Sequence, residues 1–121
     1  MKPKYNFFKN TSYALKGIQF LFKETAFKIE LCIIIPCLIL SFFLPIGLIE
    51  HLLLIGVLFL ILIAEAINTS IEACVNLVTM KWNKQAKIAK DCASSAVFFS
   101  ILLATTVWLA ILINAFKIIQ L

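Results

Sequence analysis

The sequence predicts an all-α membrane protein: an N-terminal amphipathic helix on the membrane surface, followed by three helices that cross the bilayer. Three observations lead there. Of the 121 residues, 63% are hydrophobic and 14% are charged, against ~45–50% and ~25% in an ordinary soluble domain. Short chains bury the smallest share of their surface, so a composition this apolar needs lipid as its solvent. The apolar residues also run continuously instead of alternating, and 3 Gly and 3 Pro are too few for the turns of a β-barrel.

The elements follow in order along one membrane domain, residues 1–121. Over residues 5–30, Phe8, Leu15, Ile18, Phe22 and Phe27 interleave at helical spacing with Lys9, Lys16, Lys23 and Lys28. An aromatic underside with a lysine rim suits a helix lying among headgroups. Gly17 is its weak point. Residues 31–49 are an uncharged run of 19, long enough to cross ~30 Å of hydrocarbon. Pro36 and Pro45 kink or end its turns, and Glu50 and His51 read as a tight polar turn. The second membrane helix is expected over 52–80, and the third over 92–116, a run of 25 residues without a charge. Trp108, Asn114 and Lys117 suit its far end as interface anchors.

Net charge is +5, and all 11 basic residues are lysine. They flank apolar spans without forming an aromatic-laced patch, which points to lipid headgroups and away from nucleic acid. Lysines 2, 4, 9, 16, 23 and 28 precede the first run, and lysines 81, 84, 87 and 90 lie between the last two, so ten of the eleven share one side. By the positive-inside rule that side is cytoplasmic, with the N-terminus in and the C-terminus out. Cys32, Cys37, Cys74 and Cys92 form no CxxC and read as buried free thiols. Residues 1–30 are too polar for a signal h-region.

Chemistry is concentrated in the second membrane helix. At helical periodicity Glu65, Asn68, Thr69, Glu72 and Asn76 fall within roughly a 100° arc. Counting ~20 residues from Leu52 puts Glu65 ~9 Å inside the apolar layer and Glu72 near its cytoplasmic boundary. A buried acid is costly in lipid, so it persists by facing partners or a wet crevice. Asn and Thr alone could be interhelical glue, but glue rarely needs two carboxylates. Lys90 and Asp91, just before the third span, and Glu24, near the end of the surface helix, lie at the level of Glu72. Carboxylates and a lysine at one depth suit a hydrated cation such as Mg²⁺ bridging phosphates. No P-loop, dinucleotide or kinase-loop motif appears. The residues alone leave two classes open: a lipid-modifying enzyme, or a proton- or cation-coupled carrier.

Four segments carry a resemblance that chooses between them. Glu65-Ala66-Ile67-Asn68-Thr69-Ser70-Ile71-Glu72 resembles the E-x-x-N-[ST]-[AS]-I-E signature of the small bacterial integral-membrane diacylglycerol kinases. Ala89-Lys90-Asp91-Cys92-Ala93-Ser94-Ser95-Ala96-Val97 resembles that family's A-K-D block. Tyr13-Ala14-Leu15-Lys16-Gly17 and Glu24-Thr25-Ala26-Phe27-Lys28-Ile29-Glu30 resemble its two upstream elements. The segments keep their order and spacing over nearly the whole chain.

The resemblance implies a homotrimer with active sites shared between subunits, in the bacterial inner membrane. It implies transfer of the ATP γ-phosphoryl group to the primary hydroxyl of diacylglycerol, giving phosphatidic acid, with Mg²⁺. On this chain Glu65 would be the catalytic carboxylate, and Glu24 and Glu72 would hold the metal. Tyr13, Asn68, Asn83, Lys90 and Asp91 would contact the nucleotide, with Glu24 and Glu72 beside it. Glu65, Ser94 and Trp108 would line the lipid side. The sister undecaprenol kinases share the core motifs and remain an alternative, with a small transporter behind them. Departures from the pattern lie at Asn76, where Asp is frequent, at Lys28-Ile29, and in the absence of an arginine near the nucleotide. Lys9 stands in for that arginine without its bidentate fork.

Overall fold

The computed structural model describes residues 4–120, with side chains through Lys117; Lys2, counted above for orientation, lies outside them. All regular structure among the described residues is helical: α1 (Phe7–Leu21), α2 (Thr25–Ser41), α3 (Leu48–Val78) and α4 (Lys84–Gln120).

Asn6 starts α1, its Oδ1 accepting from Phe8 N at 3.0 Å and Lys9 N at 3.2 Å, which satisfies two of the amides a helix start leaves unpaired. The segment expected as one helix over 5–30 is two. The chain turns at Phe22–Glu24, whose amides bond back to Ile18, Phe20 and Leu21. Glu24 is therefore the residue that precedes α2, not part of a surface helix. Phe27 packs edge-on against Phe22 and closes the corner.

α2 passes through Pro36 without breaking, although the ring removes one backbone donor. It ends at Ser41, so the apolar run 31–49 is not one helix. Residues 42–47 are irregular, with Pro45 among them, and α3 starts at Leu48. Glu50 and His51, expected as a turn, sit in the first turn of α3, where an acid favours the helix N-terminus. The start of α4 is likewise earlier than expected, at Lys84, so Lys90 and Asp91 lie inside a helix and not before one.

α3 and α4 are each long and apolar enough to cross a membrane. With 31 and 37 residues, they run to ~46 and ~55 Å, well beyond the ~30 Å of hydrocarbon. They pack along each other most extensively, and α2 leans on α3. The common core is Ile34 from α2, Leu54, Val57, Leu58 and Ile61 from α3, and Ala104, Trp108 and Ile111 from α4. Trp108 is 9% exposed and donates from Nε1 to the Leu54 carbonyl at 3.3 Å. It is thus a core residue joining α3 to α4, not an interface anchor. The four cysteines are free, but Cys32, Cys74 and Cys92 are exposed, not buried.

Candidate functional site

The polar face of α3 is where its buried surface changes character. Above Ala64 the helix buries Leu, Val and Ile; at Glu65 and Asn68 it buries polar groups, 4% and 7% exposed. One helical turn separates each of Glu65, Asn68 and Glu72 from the next, so their side chains stack along one stripe. Asn68 Nδ2 donates to Glu72 Oε1 at 3.3 Å. That bond leaves Asn68 Oδ1 buried without a partner, a costly arrangement that invites an external donor or a cation. Thr69 lies half-buried beside them, while Asn76 is exposed.

The remaining expected residues fall into four groups. Glu24 is half-buried, and its carboxylate makes no capping bond to α2, so its oxygens are unspent. Lys90 and Asp91 line a cleft with Thr79, Lys81, Trp82, Asn83 and Lys87 at the α3–α4 turn, about 480 Å³ in volume. Within it Asp91 pairs with Lys87 at 2.6 Å, one helical turn back, and this is the ion pair found among the described residues. Asn83 Oδ1 accepts from Gln85 N at 2.9 Å and Ala86 N at 3.2 Å. It caps α4, leaving its amide nitrogen for a ligand, while the Lys81 amide and carbonyl are engaged by Thr79 Oγ1 and the Asn83 carbonyl accepts from Lys87 N. Tyr13, on α1, and Ser94, one turn beyond Asp91, are exposed. Trp108 lines a different cavity of about 280 Å³ among α2, α3 and α4, walled by apolar side chains with Glu30 and Thr105 at its edge.

Glu30, which carries no role in the motifs above, gains a place in the fold. Its carboxyl lies within hydrogen-bonding reach of Glu65, and its Oε2 is buried without a protein donor. The signal was present: Glu30 is the last charge before the apolar run that begins at Leu31. An acid held at the edge of hydrocarbon has a reason to be there.

Among the described residues no three His, Cys, Asp or Glu side chains gather into one cluster. Glu24, Glu65 and Glu72 are therefore not brought together as a three-carboxylate cage within a single chain. The donors present still fit a divalent cation that arrives with a triphosphate, which needs only one or two carboxylates besides phosphate oxygens and water. Glu72, the unspent Glu24 carboxylate and the orphaned Asn68 Oδ1 are oxygen donors of that kind.

Comparison with known proteins bears on what such a site does. The family model for prokaryotic diacylglycerol kinase matches residues 12–112. A Haemophilus influenzae protein named diacylglycerol kinase is 36% identical over 107 residues, covering 85% of this chain and 88% of its own length. A Pseudomonas aeruginosa diacylglycerol kinase is 34% identical over 105 residues, 86% and 85% of the two chains. One from Escherichia coli K12 is 29% identical over 109 residues, 89% of each chain.

Proposed function

Since the chain belongs to the prokaryotic diacylglycerol kinase family, we propose that it transfers the γ-phosphoryl group of ATP to the primary hydroxyl of diacylglycerol, forming phosphatidic acid. The observation that carries the reading is the stripe on α3. A buried acid, Glu65, sits one turn from Asn68 and two turns from the Glu72 that Asn68 bonds, the latter ~10 Å along the axis at ~1.5 Å per residue. A lipid alcohol reaching through the bilayer and a triphosphate reaching from water can meet over such a distance. The carrier reading left open by the residues alone gains nothing from the family match.

In this reading Glu65 accepts the hydroxyl proton as the lipid oxygen forms its bond to the γ-phosphorus. The bond from that phosphorus to the β–γ bridging oxygen breaks, and ADP leaves. Phosphoryl transfer asks the protein mainly for placement and charge neutralisation. Lys90, with Asp91, Asn83 and Tyr13, places the nucleotide; Ser94 and the Trp108 cavity receive the lipid. Glu24 and Glu72 would hold Mg²⁺, which when bound would neutralise charge on the phosphates. Asn68 orients Glu72 through its amide.

The architecture that goes with this reading is a homotrimer in the bacterial inner membrane. α1 lies on the cytoplasmic surface, and α2 joins α3 and α4 as a third crossing helix, with the C-terminus in the periplasm. Among the described residues the carboxylates do not gather within one chain, so sharing sites between copies would complete them. The test supplies labelled ATP and Mg²⁺ to the purified protein with diacylglycerol or a polyprenol in mixed micelles. Phosphate appearing on diacylglycerol is expected. Label on the polyprenol alone would move the substrate to the sister group, and label on neither would end the kinase reading. Glu65→Gln should lower kcat by ~10²–10⁴, the range of a lost general base, with the oligomer intact. Retention of most of the wild-type rate would remove Glu65 from the chemistry.

A further inference from the structure

Between Glu72 and Asp91 the chain carries lysines at 81, 84, 87 and 90 and no acid. In the same stretch Leu77, Val78, Met80 and Trp82 are 87%, 84%, 81% and 79% exposed. Large apolar side chains standing together in this way mark a contact surface, unlike scattered surface hydrophobes. The turn that presents them is shaped at both ends. Thr79 leaves α3 in an extended conformation and its Oγ1 accepts from Lys81 N at 3.2 Å, while Asn83 caps α4. Little ordering is then needed to cover the patch. Lys87 is paired with Asp91 and Lys90 belongs to the nucleotide cleft. Lys81 and Lys84 are exposed and have no acid partner among the described residues.

Charge decides what covers the patch. A second copy of the chain has few acids to offer these lysines. Of its 6 acids, Glu24, Glu65 and Glu72 are placed in the reaction, Glu30 lies against Glu65, Asp91 is paired, and Glu50 sits at the opposite end of α3. The anionic face of the membrane is closer. The 31 residues of α3 come to ~46 Å, matching the ~40–45 Å of a bilayer with its headgroups. Val78 lies six residues, or ~9 Å, beyond Glu72, which brings the turn to the headgroup layer.

Resting on the membrane orientation of the proposed function, we propose that the α3–α4 turn is a docking site for anionic lipid: Leu77, Val78, Met80 and Trp82 seat among the headgroups of the cytoplasmic leaflet, and Lys81 and Lys84 hold lipid phosphates. An indole suits that zone, because its ring is apolar and its N–H finds a polar partner there. Each lysine near an anionic surface strengthens the attraction about fivefold, and an ammonium meets a single phosphate as a point charge without needing a fork. Lys81 and Trp82 also wall the cleft that holds Lys90 and Asp91. Seating the turn therefore fixes one side of the nucleotide cleft against the leaflet.

The chain has 2 tryptophans, so Trp108→Phe leaves Trp82 as the single indole reporter in the full-length protein. That protein is placed in vesicles of phosphatidylcholine alone, or of phosphatidylcholine mixed equally with phosphatidylglycerol. Both carry some phosphatidylcholine with a nitroxide on its headgroup. Trp82 emission should shift to the blue and be quenched by the nitroxide. Both effects should be stronger with phosphatidylglycerol and should weaken as salt screens the lysines. Adding Lys81→Gln and Lys84→Gln should lower the ratio of seated to unseated turns about fivefold per lysine in the mixed vesicles, with little change in phosphatidylcholine alone. Met80→Ser should weaken seating in both. The proposal is overturned by an unquenched Trp82, by quenching that ignores phosphatidylglycerol, or by quenching that survives loss of both lysines. A blue-shifted but unquenched Trp82 would put a second copy over the patch and overturns it too. Phosphorylation of diacylglycerol is followed in the same vesicles without the added substitutions. Label on diacylglycerol with Trp82 unquenched sinks the docking alone, whereas a quenched Trp82 with no label sinks the kinase reading and leaves the docking standing.

Discussion

Trp108 is where packing and lipid handling can be separated by a single substitution. Trp108→Phe keeps an aromatic ring and removes the Nε1 donor that bonds the Leu54 carbonyl at 3.3 Å. That bond is at the long end of the range for N–H···O, and Leu54 lies within α3, so its oxygen still accepts from the helix. Loss of the bond should therefore cost ~1 kcal/mol and not the full penalty of an orphaned group. The smaller ring leaves space beside Ile34, Leu58 and Ile111. The site already borders a cavity of about 280 Å³, so the indole is incompletely packed, and the volume term adds about 1 kcal/mol or less. The sum, ~1–2 kcal/mol, changes the folded-to-unfolded ratio by about 5- to 30-fold. Unfolding by SDS in mixed micelles would read it as a lowered midpoint, with the KM for diacylglycerol measured in parallel. A midpoint equal to wild type would refute the packing argument whatever the KM does: Trp108 would then serve the lipid cavity alone and not as a strut between α3 and α4.

The other expectations are smaller in scope. Asn83→Ala removes the acceptor for Gln85 and Ala86 and should cost ~1 kcal/mol as a lost helix cap, read in the same unfolding titration; an unchanged midpoint would mean the cap is idle. Glu72→Gln keeps an oxygen for Asn68 while removing the charge. It should raise the Mg²⁺ needed for half-maximal rate on the order of tenfold or more, and an unaltered Mg²⁺ titration would take Glu72 off the list of ligands.

What the chain discloses before folding depends on how far each feature reaches along it. The face carrying Glu65, Asn68 and Glu72 is legible because helical periodicity alone brings residues three and four apart together. The break at Phe22–Glu24 is not, since the lysine and aromatic spacing runs through it without proline or glycine. The start of α4 left a trace in Asn83, a good cap ahead of a helical stretch. A hydropathy window sees only the apolar part of that helix, which begins later. Trp108 reads as an interface anchor when the third span is ended at 116, yet it faces Leu54, 54 positions away. The Glu30–Glu65 contact is equally invisible, because it depends on how α2 leans across α3. Tertiary geometry of that sort has no local signature.

The 17 residues of α2 come to ~26 Å, a few ångström less than the hydrocarbon of an average bilayer. A crossing segment that under-reaches makes the surrounding lipid compress or the flanking residues stretch toward the headgroups, at a modest cost per ångström. Its C-terminal end, the outer one in the proposed topology, is followed by the exposed Phe42 and Phe43, side chains that prefer the interfacial zone. If α2 crosses the bilayer as proposed, host-membrane thickness becomes a variable of catalysis: turnover should be higher in vesicles of shorter-chain phosphatidylcholine than in long-chain ones, and a rate indifferent to chain length would mean that α2 is not held to the bilayer along its length.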